Sequence, residues 1–168
     1  ILYVCFFVYK ETGVLRISVV DLKEYMRIKR ILVLILLITP FFVIGQNFCN
    51  SAMSFCTGTT YSFPAATNTS APLGPDYGCL LTQPNPAWYI FQIDNAGDLT
   101  ISLSSTPAND IDFICWGPFT NSSTMCSQLT TGNIEDCSFD PSSIETCQIN
   151  GASPGDYYVL LITNYSNL

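Results

Sequence analysis

The second half of the chain alternates between apolar and polar positions in a way that predicts strands. "LTISLSS" (Leu99 to Ser105) puts Leu99, Ile101 and Leu103 on one side and Thr100, Ser102 and Ser104 on the other, the period of a strand with one dry and one wet face. "AWYIFQI" (Ala87 to Ile93) is dense in aromatic and β-branched residues. "DNAGD" between these runs carries turn chemistry, so the two are expected to form a hairpin. "IDFICW" (Ile111 to Trp116) predicts the next strand, and "SPGDYYVLLIT" predicts a turn launching a nearly all-apolar strand, as at a sheet centre. "TTYSF" (Thr59 to Phe63) is a short strand candidate, and Pro64 to Pro86 reads as a long ordered loop pinned by Cys79. The Cys-, Ser- and Thr-rich region up to Asn150 shows no clear strand period, and no segment shows a helical one. Short strands, Gly/Pro turns and cysteine staples together predict an all-β fold, an antiparallel β-sandwich held by disulfides.

The first part of the chain follows a different pattern. "MRIKRILVLILLITPFFVIGQ" has a basic start, an apolar stretch and small residues before a cleavage point at Gly45. That is the layout of a secretory signal peptide over residues 26–45. Its apolar run is shorter than the roughly 20 residues a membrane span needs, and Pro40 interrupts it. The membrane is thus expected to matter only during export. Residues 1–25 lie upstream of this signal and are read as over-called sequence before a natural start at Met26. Residues 46–168 form the expected domain, taken to be truncated at its C-terminus.

Charge then narrows the function. All six basic residues (Lys10, Arg16, Lys23, Arg27, Lys29 and Arg30) precede Ile31, and the chain has no His. Of thirteen acids, Glu11, Asp21 and Glu24 lie upstream, which leaves ten for residues 46–168. A surface without Lys or Arg offers nothing to a phosphate backbone, so nucleic acid is excluded as a partner. A His-based triad, a Lys base and a His-ligated zinc site are excluded as well. The cation suited to such a surface outside the cell is Ca2+.

Seven of the eight cysteines follow the signal, which fits disulfides in an oxidising compartment, and no CxxC pair suggests zinc. The shortest loops would pair Cys56 with Cys79, Cys115 with Cys126 and Cys137 with Cys147. Cys49 would then await a partner beyond Leu168.

"DIDFICWGPF" raises the question of a site. Alternation puts Ile111, Phe113 and Cys115 on one face, and Asp110, Asp112, Ile114 and Trp116 on the other. Two carboxylates at i and i+2 of one strand are poorly placed to flank a scissile bond, so a glycosidase-like pair is disfavoured and no catalytic residue is assigned. A calcium site at Asp110 and Asp112 is the functional alternative to framework acids at a strand start. Among the aromatics, Trp116 and Tyr89 are the rings expected to be exposed if the surface stacks sugars. The partners envisaged are extracellular polysaccharide or other surface proteins.

The order "FCTGTTYSFPA … GPDYGCLLTQPNPAWYIFQID … GDLTISLSS … DIDFICWGPF … GDYYVLLITNYSN" resembles a domain of flavobacterial surface proteins, of the gliding-motility-associated kind exported by type IX secretion. The likeness covers residues 46–168. More distantly, the rhythm is similar to bacterial pre-peptidase C-terminal domains, jelly-roll-like β-sandwiches of which some bind calcium or matrix polymers. Their acidic strand motif falls on Asp110 and Asp112, and their Gly-x-Tyr-Tyr turn on Gly155, Tyr157 and Tyr158. These resemblances imply a non-catalytic module of a bacterial cell-surface protein with an adhesion or structural role. The alternative is a carbohydrate- or polymer-binding accessory module of a secreted hydrolase. A domain that directly follows its signal peptide, and is this rich in cysteine, departs from the accessory pattern.

Overall fold

The computed structural model describes residues 46–56, 60–63 and 65–167. The expected signal peptide and the segment before it lie outside them. Seven strands and three single-turn 3-10 helices are present, and among the described residues no α-helix occurs. The strands are β1 (Met53–Ser54), β2 (Pro86–Gln92), β3 (Gly97–Ser104), β4 (Ile111–Phe119), β5 (Ile134–Ser138), β6 (Ile144–Ala152) and β7 (Tyr157–Asn164).

Five strands make one sheet in the order β1-β2-β7-β4-β5, and β3 with β6 makes a second. All pairings are antiparallel except β1 with β2. The apolar strand β7 lies between β2 and β4, at the sheet centre as its composition demands. The pairs nest, β2 with β7, β3 with β6 and β4 with β5, which is the winding of a jelly roll. Nesting also overturns the expected hairpin. The "DNAGD" turn carries the chain from one sheet to the other, so β2 and β3 do not pair, and each finds its partner late in the sequence. Thr60–Phe63 forms no strand.

The region that showed no period contains β5 and β6. On β6, Glu145, Cys147 and Ile149 are buried while Thr146 and Gln148 are exposed, a clean alternation written in residues of mixed polarity. The alternation on β4 separates two cores. Ile111, Phe113 and Cys115 join Tyr89, Phe91, Tyr158 and Leu160 against the β3/β6 sheet. Ile114 and Trp116 join Trp88, Val159 and Leu161 beneath the irregular chain around Leu80, Met125 and Leu129.

Two disulfides hold this second cover: Cys49 to Cys126 and Cys79 to Cys137. Each joins segments 77 and 58 residues apart, respectively, so the short-loop pairings 56–79, 115–126 and 137–147 are corrected. The reason is topological. Cys115 and Cys147 point into the core between the sheets, whereas Cys49, Cys79, Cys126 and Cys137 lie on the opposite side of the large sheet. Cysteines close in sequence are therefore on different sides of a layer. Cys49, expected to lack a partner within residues 46–168, is bridged. Cys56 lies exposed, with its backbone N–H donated to the Tyr61 hydroxyl.

Candidate binding cleft

The β3/β6 sheet covers only part of the large sheet, and a cleft of about 730 Å³ opens beside it. Ala87 and Tyr89 of β2 and Leu160 and Ile162 of β7 form its floor. Strand β3, from Leu99 to Ser104, forms one wall. The opposite wall is the segment holding Phe55, Tyr61 and Phe63. Its rings form a continuous cluster: Tyr61 stacks on Phe63 at 5.8 Å, and Phe63 meets Tyr89 at 4.8 Å. Tyr61 is 42% exposed, so one aromatic face is open to solvent. The polar lining consists of hydroxyls and amides, including Thr60, Ser62, Ser102, Ser104, Asn85 and Asn109. Among the described residues, no charged one lines the cleft.

The expected sugar-stacking rings lie elsewhere or deeper. Trp116 is fully buried on the other face of the sheet, stacked on Trp88 at 5.7 Å. Its indole N–H donates to the Asp76 carbonyl at 3.1 Å, which fixes it as a core residue rather than a platform. Tyr89 is buried too, and desolvation pushes its hydroxyl up to about 12, although its ring contributes to the cleft floor. Sequence reasoning missed Tyr61, Phe63 and Phe55. The signal available was a cluster of aromatics in a stretch rich in Gly, Thr and Ser, where core packing by a strand is not the default use of a ring.

Asp110 and Asp112 serve the framework. Asp110 accepts the Ser142 backbone N–H at 3.1 Å, and its own carbonyl accepts from Tyr165 at 3.1 Å. Asp112 lies opposite Thr163 in the β4/β7 register and accepts its hydroxyl at 3.4 Å. Desolvation, then repulsion from Asp110, raises the Asp112 carboxyl from 3.8 to about 6. Asp136 is engaged by the Cys137 and Gln148 backbone N–H groups, so it does not turn toward the pair. Among the described residues no group of three or more His, Cys, Asp or Glu side chains could hold a metal ion. Each carboxylate of the pair thus accepts one hydrogen bond from the protein, Asp110 from the Ser142 N–H and Asp112 from the Thr163 hydroxyl.

The two disulfides fit an oxidising, extracellular setting. No helix among the described residues is long and apolar enough to cross a membrane. No protein-family model, curated protein or solved structure matches the chain.

Proposed function

We propose that residues 46–168 are a secreted, non-catalytic module of a bacterial cell-surface protein, and that the module adheres by holding a neutral, extended polymer in the cleft between β3 and the rings of Phe55, Tyr61 and Phe63. One observation carries this reading. In a domain with ten acids, the described residues that line the cleft offer aromatic, aliphatic, hydroxyl and amide groups and the Cys56 thiol, and no charge. Aromatic faces beside hydroxyls and amides suit the C–H faces and hydroxyls of a sugar chain. The described lining has no carboxylate, His or Lys to move a proton, which suits holding a polymer rather than cleaving one. The likeness to flavobacterial surface domains and the signal-like residues 26–45 support export.

Binding to a panel of neutral polysaccharides by affinity electrophoresis tests the proposal. Retardation by at least one polymer is expected, weakened about tenfold by Tyr61→Ala and unchanged by Asp112→Asn. Retardation by none of them, or equal retardation of the Tyr61→Ala variant, would remove the cleft as the site. The same cleft would serve the rival, an accessory module of a secreted hydrolase. A hydrolase domain encoded downstream of Leu168, in place of repeats and a sorting region, would favour that rival.

A further inference from the structure

Strands β4 and β6 belong to different sheets, and each sends one cysteine into the space between them. Cys115 and Cys147 are both 0% exposed and belong to the same core cluster. Strand alternation aims them inward, Cys115 beside Phe113 and Cys147 beside Ile149. Both are free thiols in this structure, and their strands β4 and β6 pack against one another across that core. The bridges Cys49–Cys126 and Cys79–Cys137 lie within the outer cover and between it and β5, and neither reaches β3 or β6. We propose that Cys115 and Cys147 are the site of a third disulfide, a covalent bond through the core that joins the two sheets.

In an oxidising compartment the other cysteines do not compete for this pair. The four bridged ones lie across the large sheet, and Cys56 is at the surface. The reaction breaks two S–H bonds and forms one S–S bond. Two electrons and two protons pass to the disulfide of a thiol–disulfide oxidoreductase, which leaves as its dithiol. The attacking species is a thiolate, and the core disfavours it. The hydrogen bond its S–H gives to Cys147, then desolvation, hold the Cys115 thiol well above its ordinary range. The bond therefore forms before the sheets close on one another. A chain folded without oxidant keeps two thiols that oxidise only when the sandwich opens.

The test uses the full chain exported into an oxidising compartment. It is unfolded without reductant in the presence of N-ethylmaleimide and weighed. The Cys115→Ala variant should take up one more maleimide than the parent chain, because Cys147 loses its partner. Cys147→Ala should show the same gain at Cys115. One fewer maleimide in either variant means that both residues were thiols, and this overturns the proposal. Residues 46–168 contain no tryptic site, so the parent chain is also mapped after peptic digestion in acid, where disulfides do not exchange. A linked peptide pair holding Cys115 and Cys147 is expected. Either residue linked to a different cysteine, or both found labelled, defeats the idea even if neither variant is exported.

Discussion

The large sheet has two faces, and the molecule covers them by different means. One face, with Phe91, Phe113 and Leu160, is covered by β3 and β6, whose backbone groups satisfy one another in a ladder from Gly97↔Ala152 to Ser104↔Ile144. The other, with Trp88, Ile114, Trp116 and Leu161, is covered by irregular chain around residues 71–80 and 125–134. Irregular backbone has no ladder, so its polar groups need individual partners. Trp116 donates to the Asp76 carbonyl, Trp88 to the Asn47 carbonyl and Tyr77 to the Pro72 carbonyl. All four bridged cysteines pack on this same face. Disulfides appear where regular hydrogen bonding does not hold the cover, and constraining the unfolded chain compensates for loops that would otherwise be costly to order.

The largest expected effect comes from breaking the loop-covered face at its centre. Trp116→Ala removes a fully buried ring, leaves Trp88 without its stacking partner and leaves the Asp76 carbonyl without its donor. Stability measured by urea unfolding should fall by about 3–5 kcal/mol. Hydrogen exchange should show amides of residues 71–80 and 125–134 losing protection first, while those of β3 and β6 hold. Equal loss on both faces would mean that the two covers are one cooperative unit.

A smaller effect probes the strand-covered face. A Cβ added at Gly117 would run into the ring of Tyr158, which stacks on Phe91 at 5.4 Å. Gly117→Ala should cost about 1–3 kcal/mol by overpacking. The loss should shrink in the Gly117→Ala/Tyr158→Ala double variant compared with the sum of the two single ones. Strict additivity would show that the ring is not what forbids the side chain.

The contrast between faces also explains what the sequence disclosed. Leu99, Ile101 and Leu103 alternate against Thr and Ser, and the central β7 is nearly all apolar up to Ile162, so β2, β3, β4 and β7 were legible from composition and period. Strand β6 was hidden because its inward positions include Glu145 and Cys147, which hydropathy does not mark as core, and β5 because its five residues are all half-buried and show no alternation. Pairing was illegible for a different reason. A short turn such as "DNAGD" is chemically the same whether it closes a hairpin or crosses between sheets, and only long-range packing selects the crossing. The disulfides and the cleft depend on that topology. Tyr61, Phe63 and Tyr89 come together only once β2 is paired with β7 and the preceding segment folds over it. Trp116 looked like a surface ring because it follows two acids on one face, but that face is roofed by chain from 40 residues earlier.

Asp112 is where the loop-covered face meets charge, and it gives the smallest of the expected effects. Asp112 is buried at the start of β4, where its carboxyl accepts from the Thr163 hydroxyl and is repelled by Asp110 and, more weakly, Glu145. Its folded-state value of about 6 lies above the ordinary 3.8, so between these the folded chain binds more protons than the unfolded one. Stability from this group is therefore present below about pH 4, falls as pH rises through about 6, and is flat above that. Asp112→Asn keeps an acceptor for Thr163 and removes the charge. At about pH 7 the variant should be more stable than the parent by about 1 kcal/mol, a value discounted for solvent screening near the strand start. Near pH 4 the two should unfold at nearly the same urea concentration. A difference that stays constant between those pH values would mean the carboxyl is charged throughout, and that this edge of the roofed face admits water as freely as the cleft does.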